Sequence, residues 1–388
     1  MTELSETTLK QLLANVTDSV TSYDGTRTVQ GMERRAAIRG AARELFLATS
    51  TPEDHVWNQV ANMTVLVALR TCLKLGIFKY IPLDGAASLE DIAKAANATT
   101  SLVVGCGFLE QTRPDGGDYK HTKFSLSYTD VTVPGPGTFF QAMYDVYLKT
   151  TLPLDEWIEK KFKGQYGEPS SNFENPFVSR YGTDGQSAWD VMASIPDVMT
   201  TFQLGLKAMD EMLPPAGSFY DFSQFQATDE EPTRIQIVDV GGGFGKVLTE
   251  IVQATPALDP EYCVVQDVGN VIEIAHAARG FGARAYYMRF ISHDYSDHDI
   301  INILGHIAKA MASDSKLLLA DCVIPGRLRE STVTAGVLDQ LMFCIGGKER
   351  TEGGFKSILG AKGLELISVN KIPGSTAAIV EAKLKQQS

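Results

Sequence analysis

The sequence predicts a doubly wound α/β sheet in the C-terminal half, preceded by a helical, winged-helix-like domain. Three observations carry this. From 235 onward, apolar runs at 235–240, 262–267, 285–290, 316–321, 364–370 and 376–382 alternate with helical patterns. The first run, Ile237-Val238-Asp239-Val240, ends in an acid and enters a turn with glycines at 241, 243 and 245. Upstream, residues 51–122 read as capped helices followed by a hairpin.

With 388 residues, the chain is long enough for two or three domains and a substantial core. Hydrophobic residues make up 44% and charged residues 21%, ordinary globular composition. The net charge of −12 disfavours a nucleic-acid backbone as partner. No apolar run reaches the roughly 18 residues of a membrane span. The N-terminus shows no basic segment followed by an apolar core, so a cytoplasmic location is expected. Cys72, Cys106, Cys263, Cys322 and Cys344 are scattered without C-x-x-C spacing. They read as small hydrophobes in a reducing compartment.

Residues 1–48 read as helical, with a pattern too weak to close a core alone. Thr51-Pro52-Glu53-Asp54 has an N-cap residue, proline at the first helical position and acids in the first turn. Trp57, Val60, Met63, Leu66 and Leu69 then recur at helical spacing. Ser88 opens a second capped helix, and the turn at 114–117 separates two candidate strands. Residues 131–230 hold a turn-rich joint and helices carrying Phe139, Phe140, Met143, Tyr144, Tyr147, Phe202 and Leu206. Such stripes are more often plain core than pocket lining.

Around Asp239 the spacing is D-x-G-x-G-x-G; a dinucleotide fingerprint would need a third glycine at 246, which is Lys246. The spacing resembles motif I of the S-adenosylmethionine-binding class I methyltransferases, whose catalytic domain is Rossmann-like. The resemblance places Asp239, Gly241, Gly243, Gly245, Asp267 and Val268 at the cofactor. Asp267 ends the second strand, where a carboxylate accepts ribose hydroxyls.

The stretch Arg289-Phe290-Ile291-Ser292-His293-Asp294-Tyr295-Ser296-Asp297 resembles the "HDW-x-D" segment of caffeate-type O-methyltransferases. There the histidine is the general base, so His293 takes that role by resemblance. Imidazole titrates near neutrality and accepts a phenol or enol proton as the methyl arrives. Asp321 in "LLLADCVIP" and Glu349 in "GGKERTEGGF" stand where the family has its orienting carboxylates. Asp294 is expected at backbone or cofactor, and Arg289 on the cofactor side. The acceptor is expected between the 198–212 helix, with Phe202 and Leu206, and Asp339, Met342 and Phe343. No cluster has metal-ligand spacing. The other five histidines read as surface or structural, with His121 a weak pocket candidate.

The resemblance divides the chain into a dimerisation domain at 1–130, a helical connector at 131–230 and a catalytic domain at 231–388. It implies a homodimer, S-adenosylmethionine or S-adenosylhomocysteine as cofactor, and a small aromatic, pyridone or polyketide acceptor. Some fungal proteins of this fold keep the cofactor, transfer no methyl and catalyse dehydration and pericyclic reactions. In one such protein, arginine replaces the histidine. "GGGFGKVLTEI" and the N-terminal "ATSTPEDHVWNQVANMTVLVALRTCLKLGIF" resemble that group. A non-catalytic scaffold is the third reading. Intact His293, Asp321 and Glu349 oppose it.

Two intervals are short for this resemblance. Only Ser101 to Gly107 separate Thr100 from Phe108, where a winged helix has another full helix. Asp267 and Ala285 lie about 18 residues apart, an interval that holds a helix, a third strand and an adenine-binding loop in the family. Both joins read as if sequence were cut out.

Overall fold

Asp239, Val265 and Tyr287 lie side by side on three parallel strands, and the sheet they begin is the frame of the larger of two compact units. The computed structural model describes all residues except 1–4, 22, 24, 26–27, 98–107, 114–115, 166, 213–214, 268–281, 328–331, 372–374 and 387–388. Val268 and most of both short intervals therefore lie outside the described residues.

The first unit holds Leu45–Lys149 and Met192–Leu213. The chain opens with α1 (Glu6–Thr21) and α2 (Val29–Thr49), and α3 (Pro52–Leu75) follows. Thr51 caps α3 through a reciprocal box with Asp54, and Gly76 ends it at φ 68°. β1 (Ala86–Ala87) and α4 (Leu89–Ala95), capped by Ser88, lead to the hairpin of β2 (Leu109–Arg113) and β3 (Gly116–His121). The small sheet runs β1-β3-β2. Next come α5 (Pro136–Ala142) and a π-helical turn, Met143–Leu148. They are followed by α6 (Lys149–Thr151), α7 (Leu154–Phe162), α8 (Pro176–Tyr181), α9 (Ala188–Ser194) and α10 (Val198–Met212). Within the first unit, α10 packs closely on α5, where a Cβ on Gly205 would come 2.5 Å from Ala142 Cβ. Arg70 and Asp145 form a bidentate pair, with Nη2 2.6 Å from Oδ2.

The second unit holds Ser5–Glu44, Thr150–Val191 and Pro214–Ser388. Its sheet is built from β4 (Ile237–Val240), β5 (Cys263–Gln266), β6 (Ala285–Arg289), β7 (Lys316–Ile324), β9 (Leu364–Lys371) and β10 (Ala377–Leu384). The order is β5-β4-β6-β7-β10-β9, with β8 (Arg350–Thr351) pairing on the end of β7. Helices α11 (Lys246–Ala254), α12 (Asp297–Ala310), α13 (Val333–Cys344) and α14 (Glu352–Gly360) belong to this unit, as do α1, most of α2, α7, α8 and the start of α9. All six strands read from the sequence are present, and β10 runs antiparallel to both β7 and β9. β8 is too short to show periodicity. Among the described residues β5 is the edge of the sheet, with no strand outside it.

Alternation explains why the strands read as continuous apolar runs. Tyr286, Met288, Leu317, Leu319 and Val380 meet α12 and α14 on one face. Tyr287, Leu318 and Ile379 meet α11, Phe222 and Phe225 on the other. No described helix is long and apolar enough to cross a membrane.

Candidate active site

The site grows from the C-terminal ends of β4, β5, β6 and β7 and from the segment that leads into β8. At β4 the chain leaves Asp239 and turns through Gly241, Gly243 and Gly245, at φ 75°, 56° and 74°. Gly241 N–H donates to Gln266 O at 2.7 Å, fastening the turn to the end of β5. Gly243 N–H donates to Asp267 Oδ2 at 2.8 Å, so the turn and the second acid meet as the sequence pattern implied. No described atom lies within 4 Å of where a Gly243 Cβ would be. The backbone there faces open space beside a carboxylate, a cradle that fits the ribose end of a nucleoside cofactor.

At β6 the register pairs Arg289 with Ala320 of β7. That alignment brings the turn Ser292–Asp294, one residue past Ile291, against Asp321. Ser292 Oγ donates to Asp321 Oδ2 in a short buried hydrogen bond. His293 Nδ1 lies 2.8 Å from Glu349 Oε1, and its Nε2 lies 3.6 Å from Asp294 Oδ1. The carboxylate on Nδ1 fixes the tautomer and leaves Nε2 to meet a substrate. His293, Asp321 and Glu349 are buried at 7%, 1% and 2% exposure. Asp321 Oδ1 and Glu349 Oε2 have no hydrogen-bond partner among the described residues.

Burial alone favours neutral imidazole. The charges of Glu349 and Asp294, the hydrogen bond to Glu349 and the charge of Asp321 outweigh it and hold His293 up at about 10. Burial pushes Asp294 up to about 7 despite the adjacent imidazole, and burial also raises Glu349. The centre is thus a cluster of three acids around one base that retains a proton at neutral pH.

Other predicted residues take specific places. The Arg289 guanidinium lies over the Phe290 ring at 5.2 Å, and that ring stacks on His293 with centroids 5.5 Å apart. Asp339 accepts Glu349 N–H at 2.9 Å, so it holds the backbone of the orienting acid. Met342 is buried, and Phe343 meets Trp157 edge-to-face at 6.1 Å. In the first unit, Phe202 is buried against Tyr147 and Leu206 is 37% exposed. His121 is occupied by Ser125 Oγ and Ile81 O.

Sequence reasoning missed four residues. Ser292 binds Asp321. Arg350 is a buried guanidinium bonded to the turn of His293. Gly347 has no room for a side chain, because a Cβ would overlap His293 O. Asn172, in the amide orientation that satisfies its neighbours, donates to Asp294 O at 2.8 Å. The signal available was adjacency: Gly347 and Arg350 flank Glu349, and Ser292 precedes His293.

Residues 169–365, just over half the chain, match the O-methyltransferase domain family. The chain belongs to the O-methyltransferase family. That family is one of S-adenosylmethionine-dependent enzymes. Methyltransferase cfoD of Aspergillus candidus is 28% identical over 384 residues, covering 90% of this chain and 92% of that protein. O-methyltransferase kntB of Aspergillus niger is 29% identical over 347 residues, covering 82% and 81%. Among solved structures, OxaC in complex with SAH and oxaline gives a TM-score of 0.79 at 21% identity, over 98% of this chain and 100% of that one. LepI in complex with SAM gives 0.79 at 21% identity, over 98% and 99%. These likenesses show a class I methyltransferase fold.

Proposed function

We propose that this protein is an S-adenosylmethionine-dependent O-methyltransferase acting on a hydroxyl of a small aromatic, pyridone or polyketide metabolite. The observation that carries the reading is the buried His293–Glu349 pair at 2.8 Å, with Asp321 beside it. When bound, the cofactor supplies an electrophilic methyl with its own leaving group. The chain then has little to do except position and deprotonate. His293 Nε2 accepts the acceptor's proton, and Glu349 and Asp294 stabilise the resulting imidazolium. Gly241, Gly243, Gly245, Asp239 and Asp267 would hold the cofactor, with Arg289 and Asp294 on its catalytic side. Asp339, Met342 and Phe343 are proposed pocket residues of the second unit.

One observation favours a second reading, a pericyclase of the same fold. Glu349 at 2.8 Å from Nδ1 and Asp294 at 3.6 Å from Nε2 favour the imidazolium form of His293, and an imidazolium donates a hydrogen bond to a carbonyl or a leaving hydroxyl. The cofactor's sulfonium would then be a fixed charge.

We also infer a homodimer through residues 1–130. On α3, Val56, Val60, Met63 and Val67 form an exposed stripe at helical spacing, and Trp57 beside it is 72% exposed. The remaining division, connector at 131–230 and catalytic domain at 231–388, stands as part of the same proposal.

The test incubates purified protein with S-adenosylmethionine and a panel of pyridone, polyketide and phenolic alcohols, read by mass spectrometry. A product heavier by one methyl, with S-adenosylhomocysteine formed, is expected. A product of unchanged mass or lighter by one water, with the cofactor unconsumed, overturns methyl transfer and supports the pericyclase.

A further inference from the structure

We propose that Arg350 is a positioning residue for the active-site histidine: it ties the segment that carries Glu349, just ahead of β8, to the turn that carries His293. This rests on the reading that His293 handles the reacting proton.

The geometry is specific. Arg350 Nη1 donates to Ser292 O at 2.7 Å and to Lys348 O at 3.1 Å. Nη2 donates to Tyr295 O at 2.8 Å, and Nε to Asp297 Oδ1 at 2.9 Å. One planar group thereby brackets His293, through the carbonyl before it and the carbonyl two residues after. It also grips Lys348 O, one residue ahead of Glu349. From the other side, Lys348 N–H donates to His293 O at 2.7 Å.

β8 is a two-residue strand whose register sets Arg350 opposite Val323 of β7, two residues beyond Asp321. The short ladder therefore holds the clamp, and the orienting acid is the residue just ahead of it. Arg350 is 2% exposed, while its acidic partner Asp297 has a half-exposed side chain. Burying a full charge under a half-exposed counter-ion is unfavourable unless the remaining donors are used. Here the backbone carbonyls of the active-site turn use them. Lysine has three donors on one point and cannot reproduce this fork. A shift of about 1 Å between a base and its orienting group is enough to lower turnover by about 100-fold.

The experiment compares wild type with Arg350→Lys, using ring-labelled histidine and NMR, with His293→Gln to assign the His293 signals. Folding is followed by thermal melting and cofactor binding by titration with S-adenosylhomocysteine. The expected result is a folded Arg350→Lys protein that binds S-adenosylhomocysteine within about threefold of wild type. Its His293 Nδ1–H resonance broadens and its imidazole titrates lower, by about one pH unit or more. An unchanged His293 resonance and titration in folded Arg350→Lys overturns the proposal. If Arg350→Lys fails to fold, Asp297→Ala decides. That change removes the acceptor of the guanidinium's Nε and should move the same signals in the same direction by a smaller amount, and unmoved signals there overturn the proposal. The underlying reading fails separately, if His293→Gln still methylates an acceptor.

Discussion

Ser292 and His293 are neighbours in the chain and take different carboxylates, Ser292 that of Asp321 on β7 and His293 that of Glu349 beside β8. The turn is therefore anchored at two consecutive side chains before its backbone is considered. This arrangement governs how the centre responds to pH and to substitution.

Stability falls as pH rises. A histidine whose folded pKa is raised contributes stability that is full below about 6.5 and lost through about 10. Asp294, raised to about 7, binds its proton more tightly when folded, so its contribution also fades as pH rises from 3.8. Thermal unfolding should give a higher melting temperature at pH 6 than at pH 9.5. His293→Gln should flatten the upper part of that slope; an equally steep slope in the variant would assign it elsewhere.

Activity should run opposite to stability. A base acts only when neutral, so methyl transfer should climb through the alkaline range. His293→Ala should lower kcat by about 100- to 10,000-fold, the usual scale of acid–base assistance. A rate that falls as the imidazolium is titrated would instead identify the protonated histidine as the working form.

Gly243 and Gly241 separate binding from folding. Alanine at 243 meets open space and is left with only the left-handed backbone, a strain of about 1–2 kcal/mol. Its methyl projects into the proposed cofactor cradle, so S-adenosylhomocysteine affinity should drop at least tenfold while the fold persists. Alanine at 241 would sit 2.5 Å from Ile291 Cδ1 and should destabilise the protein as well. Calorimetric titration alongside melting distinguishes the two, and a Gly243→Ala protein with undiminished affinity would remove the cradle from the cofactor site.

Gly347→Ala places a methyl against the His293 carbonyl and the Asp294 backbone. Overpacking of this kind costs about 1–3 kcal/mol. Denaturant unfolding should show that loss, and restored stability in a Gly347→Ala, His293→Gly double variant would not be expected, because the clash is with backbone.

Phe290 holds φ 53°, a conformation that bulky side chains avoid and asparagine tolerates. Phe290→Asn should relieve that strain and lose the stack on His293, changing stability by less than about 1 kcal/mol. Turnover should drop nonetheless, and a variant with wild-type kcat would show that the ring does not orient the imidazole.

How much of this was legible follows from the physics of each signal. The central strands β4, β6 and β7 are buried on both faces, and apolar runs with turn residues between them reveal that directly. Asp239, the three glycines and Asp267 share one local βα unit, so sequence spacing encodes their meeting. His293 with Asp321 and Glu349 was readable through family resemblance. Arg350, Ser292 and Gly347 were not. Arg350 acts on carbonyl oxygens, which leave no mark on residue type, and β8 is too short to carry a period. The apolar stretch around Asp339 predicts pocket lining; that its carboxylate also holds the Glu349 backbone leaves no signal in residue type.

The main-chain character of the Arg350 grip has an evolutionary consequence. Ser292, Tyr295 and Lys348 are held by atoms that every residue possesses. Exchange of the side chain at 293 removes the tie to Glu349 but leaves these main-chain contacts of the turn in place. The scaffold thus separates the position that presents a functional group from the atoms that hold that position, and selection can vary the first while keeping the second.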